Sequence, residues 1–122
     1  MAITYAFEPG NNLGVITCSG EVTMEDRHVF ISKIIDEDLH PNGANILINV
    51  SDVKNAPSPS EVPFVSWQIE RLKGKGVRRV AILNTAAGHL TISHFIALQV
   101  GIDSVKTKVF MFESQAREWL NA

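Results

Sequence analysis

A chain of 122 residues, 45% apolar and 20% charged, is long enough to bury one hydrophobic core and is read as a single domain spanning residues 1–122. Its net charge of −2 is too small to argue for nucleic acid or an anionic membrane surface as partner, so no nucleic acid is expected, and no apolar run approaches the ~20 residues of an integral membrane span. The single Cys18 excludes an internal disulfide, and the start MAITYAFEPG lacks the basic and apolar regions of a secretory signal, so a reducing, cytoplasmic setting is expected.

Ile3–Phe7 alternates apolar and small or polar residues and reads as a short strand. Pro9-Gly10-Asn11-Asn12 is a dense turn signal, and Leu13–Ser19 is a second strand, so the two are expected to form an antiparallel hairpin. Thr23 is a good N-cap with Asp26 three residues on, opening a helix whose apolar residues are Val29, Phe30, Ile34 and Ile35, with Leu39 beyond. Pro41-Asn42-Gly43 stops it.

Asn45–Val50 is a near-continuous apolar run, as expected for a parallel strand covered on both faces. Ser58-Pro59-Ser60-Glu61 then has the form of a helix start, with Ser58 as cap, Pro59 at the first helical position and Glu61 completing a capping box. The helix carries Phe64, Val65, Ile69 and Leu72 and ends at Gly74 or Gly76. The basic cluster Arg71–Arg79 reads as a helix C-terminus and solvated turn, with a phosphate or lipid-headgroup patch as the alternative.

Arg79–Leu83 is another buried strand, followed by the polar loop Asn84–His89 and a helix over about Thr91–Val100. Lys108–Phe112 is the last strand, and Ser114 is expected to cap a terminal helix that packs Ala116, Trp119 and Leu120. The order β-β-α-β-α-β-α-β-α predicts an α/β domain. Its sheet is expected to be five-stranded and mostly parallel, with an N-terminal antiparallel hairpin and about four helices.

Chemistry is harder to find. No nucleophile motif, Cys/His constellation or C-x-x-C is present, and His89 and His94 are five apart rather than the four of a zinc helix, so the chain is read as non-enzymatic, without cofactor or metal. The segment Ile46–Glu61 is the expected place for function, because ligands and modifications collect where parallel strands end. Ser51, Asp52, Ser58 and Ser60 are its candidate switch or partner residues. Ser58 has two readings: a helix cap, or a phosphorylation site favoured by free backbone N–H groups. Asp52 is read as a turn former or ligand contact, and Thr85 and His89 are candidate loop contacts. Phe64, Trp67 and Phe95 exceed one narrow apolar stripe and are candidates for an apolar ligand site or a dimer surface. Cys18 is read as a small buried apolar residue.

Three stretches carry a resemblance: Ser19-Gly20-Glu21-Val22-Thr23 leading into a helix, the strand-loop-helix Ile46–Arg71 followed by the strand RVAIL, and the ending VFMFESQAREWL. With the element order, they resemble STAS-like domains of the SpoIIAA-like, anti-sigma-factor-antagonist-like branch, over nearly the whole chain. The resemblance implies sequential strand order and a regulatory or protein-interaction module, binding another protein or itself as a homodimer. A phosphorylatable serine of regulatory STAS domains falls at Ser58, with Pro57 where an acidic neighbour is expected and Ser60 where glycine is expected. The resemblance also implies an alternative, a carrier or sensor of a small apolar or lipid-like ligand held between the helices at Phe64, Trp67 and Phe95.

Overall fold

The computed structural model describes residues 2–85, 90–101 and 104–122. A hairpin of β1 (Ile3–Glu8) and β2 (Leu13–Gly20) leads to α1 (Met24–Asp36), β3 (Asn45–Val53), α2 (Val62–Arg71), β4 (Arg79–Leu83), α3 (Leu90–Gln99), β5 (Lys106–Phe110) and α4 (Glu113–Leu120). The five strands pair in sequential order, β1 antiparallel to β2 and the rest parallel.

Sequential order dictates where the helices go. Each right-handed crossover steps the same way across the sheet, so α1, α2 and α3 all fall on one face. Ile16, Ile46, Val80 and Ile82 of the sheet pack there with Ile31 and Ile34 of α1, Ile69 of α2 and Ile96 of α3. Among the described residues only α4, which follows the last strand, covers the other face, where Leu47, Ala81 and Leu83 meet Ala116 and Leu120. Period-two alternation along β3 thus sends Ile46 and Leu47 into different cores.

Three of the boundaries that differ from the sequence-based expectation have a clear local reason. β3 does not stop at Val50 but continues to Val53 through a bulge, with Val50 and Ser51 opposite Cys18 alone between the pairs Thr17–Asn49 and Ser19–Asp52. The Asn49 side chain accepts the Ser51 N–H at 3.0 Å, satisfying a donor at the irregularity. β5 begins at Lys106 and ends at Phe110, where β4 runs out at Leu83, so Met111 and Phe112 have no ladder to join and are exposed. That shift starts α4 at Glu113, which places Phe112 rather than Ser114 at the N-cap, with no side-chain cap. Thr23 and Asp26 do form a reciprocal capping box on α1, although Val29 faces solvent. Gly76 supplies the left-handed residue (φ 73°) after the last turn of the α2 region.

His40, fully buried between α1 and β3, ties the hairpin to the loop that precedes the central strand. Its Nε2–H donates to the Ala44 carbonyl at 2.7 Å, which leaves Nδ1 to accept from the Tyr5 hydroxyl at 2.7 Å. Burial lowers its pKa below the ordinary 6.5, and the nearby Lys75, paired with Asp38, adds to the lowering. A depressed histidine stabilises the fold fully above the unfolded value and loses that contribution as pH falls, because the unfolded chain takes up the extra proton first. Urea stability should therefore drop between pH 7.5 and 5.5, by up to ~1.4 kcal/mol per pH unit. The slope should flatten in His40→Gln; equal slopes in both proteins would remove His40 as its source.

Candidate functional site

The sheet and the α1–α3 layer do not close completely. Between them lies a cavity of about 110 Å³. Its floor is built by Ile16 and Cys18 of β2, Ile48 and Val50 of β3 and Ile82 of β4. Arg27, Phe30 and Ile31 of α1, Val65 and Ile69 of α2 and Ile92 and Ile96 of α3 form the opposite wall. Ala56 and Pro57, in the connection from β3 to α2, also line it, and Ala56 is exposed, which puts an opening on that side. Ile48 and Val50 are only half-buried although they sit on the central strand. A strand covered on both faces would have them fully enclosed.

Four polar side chains reach this otherwise apolar space: Cys18, Arg27, Gln68 and Ser93. Gln68 is committed, since its Oε1 accepts from Arg71 at 3.0 Å and its Nε2 lies 3.0 Å from the His28 Nδ1. Ser93 accepts from the Asn84 side chain at 3.2 Å. Burial pushes the Cys18 thiol up to about 11 despite the nearby Arg27 charge, so it is a neutral thiol at physiological pH and a poor nucleophile. Arg27 is half-buried, and burial lowers its pKa, opposed by the Glu61 and Asp26 carboxylates.

The residues singled out in sequence are distributed differently. Ser51 and Thr85 come together, the Thr85 N–H donating to Ser51 Oγ at 3.0 Å across the carboxyl ends of β3 and β4. Asp52 is exposed on the last part of β3. Ser58 and Ser60 are exposed at the 3-10 turn Pro59–Glu61 that leads into α2, with their hydroxyls 3.0 Å apart. The capping box of Ser58 with Glu61 is formed, and the Ser58 N–H and hydroxyl both donate to Glu61 Oε1, at 2.8 and 3.0 Å. These two bonds lower the Glu61 pKa. His89 lies outside the described residues.

Phe64, Trp67 and Phe95 are 37%, 48% and 53% exposed and do not line the cavity. The helical period explains the split. On α2, Val65, Gln68 and Ile69 at i, i+3 and i+4 face the sheet, while Phe64, Trp67 and Arg71 at i, i+3 and i+7 share the outer face. There the Phe64 and Trp67 rings stand 5.9 Å apart and the Arg71 guanidinium lies 5.3 Å from the Trp67 ring centre.

Two positions went unnoticed in sequence. Asn55 clamps the connection after β3 to the one after β2, accepting the Val22 N–H at 2.8 Å and donating to the Val22 carbonyl at 3.0 Å. Arg27 carried a legible signal: with Phe30, Ile31 and Ile34 it falls at i, i+3, i+4 and i+7, a cation on the apolar stripe. Among the described residues, no group of three or more His, Cys, Asp or Glu side chains is arranged to hold a metal ion, and no helix is long and apolar enough to cross a membrane.

No protein-family model and no curated protein matches the chain. Solved structures do. An uncharacterised protein of the DUF3478 family with a SpoIIAA-like fold, from Shewanella loihica PV-4, superposes with a TM-score of 0.62 at 18% identity, over 98% of this chain and 92% of that one. The protein TM1081, determined by NMR, gives a TM-score of 0.64 at 18% identity, over 95% of this chain and 86% of that one. The chain has the SpoIIAA-like fold, as its sequence resemblance implied.

Proposed function

We propose that the protein is a non-enzymatic binding module that takes a small apolar group into the cavity between the sheet and the α1–α3 layer. The observation that carries this reading is the half-burial of Ile48 and Val50 at the centre of the sheet. Protein interiors are packed like organic crystals, and a void lined by aliphatic side chains forfeits their dispersion contacts. An apolar guest restores those contacts. Engineered cavities of roughly 150 Å³ with similar lining stay dry and bind benzene. At about 110 Å³ with one open side, this one suits a small ring or one end of a short chain.

The same reading bears on regulation. Ala56 and Pro57 touch the cavity and lead directly into Ser58 and Ser60. A guest that presses on Ala56 and Pro57 alters the surface carrying those serines, which makes the module a sensor as much as a carrier.

Toluene provides the test. Titration calorimetry should show saturable binding to the native protein and at least about tenfold weaker binding to Val65→Phe. The added ring fills existing space there, so the usual overpacking cost of ~1–3 kcal/mol should be largely absent and the melting temperature preserved. Absence of saturable binding, or equal binding by the filled variant, would contradict the reading.

A further inference from the structure

We infer that the ligand of this cavity is a small apolar carboxylate, its hydrocarbon part against Ile48 and Val50 and its carboxylate on the Arg27 guanidinium. This deepens the proposed binding function and rests on it. Arg27 lines a mainly apolar space and is half-buried, yet among the described residues no carboxylate lies within ion-pair distance and its guanidinium makes no hydrogen bond. A guanidinium offers five donors in a planar fork, and removing it from water without a partner is costly.

The carboxylates that attract it are engaged elsewhere. Asp26 accepts the Thr23 N–H at 3.0 Å, and Glu61 accepts from the Ser58 N–H at 2.8 Å and from the Ser58 hydroxyl at 3.0 Å. Both belong to capping boxes that close helix starts, and neither lies within ion-pair distance of Arg27. Gln68 bonds to Arg71 and His28, Ser93 accepts from Asn84, and Cys18 is a neutral thiol. Among the described residues Arg27 is the one charged side chain that lines the cavity, and its fork matches an oxyanion in a bidentate pair. Size sets the rest of the ligand: about 110 Å³ admits a ring or a short chain rather than a long acyl tail.

Benzoate, benzyl alcohol and toluene share one ring and differ at the head, so their affinities at pH 7 separate the two claims. Benzoate should bind the native protein about tenfold or more tighter than benzyl alcohol, with an advantage that shrinks as salt rises. Arg27→Met should erase that advantage while benzyl alcohol and toluene keep their affinities within about twofold, and Arg27→Lys should retain part of it, losing the bidentate pair but not the charge. If toluene binds but benzoate has no advantage in the native protein, or the advantage survives in Arg27→Met, the carboxylate inference is overturned and the apolar cavity stands. If none of the three binds, both fall. The native-protein comparison decides the matter even where a variant folds poorly.

Discussion

Ile46→Ala should lower the unfolding free energy by about 3–4 kcal/mol, whereas Ile48→Ala, two residues along the same strand, should cost only about 1–2 kcal/mol. Both side chains leave the same face of β3 toward the α1–α3 layer. Ile46 is fully buried, in register with Val80 on one side and Gly14 on the other, and its truncation opens a new void in packed surroundings. Ile48 already borders a cavity, so the carbons removed make fewer contacts and the lost volume adds to space that solvent can enter. Against a domain stability of about 5–15 kcal/mol, the first loss consumes a large fraction and the second does not. Urea titrations with unchanged m-values measure both. Equal costs would mean that Ile48 is packed as tightly as Ile46 and that the floor of the cavity is closed.

Gly14→Ala should be the next most damaging small change, at about 2–3 kcal/mol. A Cβ at this position would stand 2.7 Å from His40 Nδ1, 2.8 Å from His40 Cε1 and 3.0 Å from Tyr5 Cε2. The imidazole cannot swing aside cheaply, because it is bonded at one nitrogen to Ala44 and at the other to Tyr5. Moving it breaks a buried hydrogen bond and leaves a polar group without its partner. A double-mutant cycle isolates the cause: in a His40→Ala background the two closest contacts are gone, the Tyr5 ring at 3.0 Å is released from its hydrogen bond to His40, and the cost of Gly14→Ala should fall below about 1 kcal/mol. An unchanged cost there would place the problem in the Tyr5 ring or the strand backbone rather than in His40.

The fold was legible because each of its signals is local. Alternation in Ile3–Phe7, the apolar run Ile46–Val50, the Thr23–Asp26 capping box and the Pro59 helix start each point to one element, and together they define the β-β-α-β-α-β-α-β-α order. Boundaries failed where a partner strand decides. The run VFMF reads as strand to Phe112, but β4 ends at Leu83 and pairing stops with it at Phe110. Likewise nothing in ILINVSDV marks the bulge at Val50–Ser51, which depends on the register against β2.

The candidate site was less legible, for a topological reason. Ligands collect at the carboxyl ends of parallel strands where strand order reverses. Here the order runs β1 to β5 without reversal, so no such crevice arises, and the opening lies between layers instead. Its lining draws on β2, β3, β4 and three helices, residues far apart in sequence. Phe64, Trp67 and Phe95 stand out in the sequence as surplus aromatic residues, but helical geometry turns them outward. Arg27 was visible as a charge on an apolar stripe, and its meaning emerged only with the absence of any partner for it among the described residues.

The most direct measurement is a methyl-detected NMR titration of isoleucine-labelled protein with toluene. Ile16, Ile48, Ile82 and Ile96 line the cavity, whereas Ile34 and Ile46 belong to the same core but do not. Occupancy predicts saturable ring-current shifts at the first four methyl groups, with Ile34 and Ile46 nearly unmoved. Shifts spread equally over all six, or confined to methyl groups on the outer surface, would contradict a binding cavity between sheet and helices.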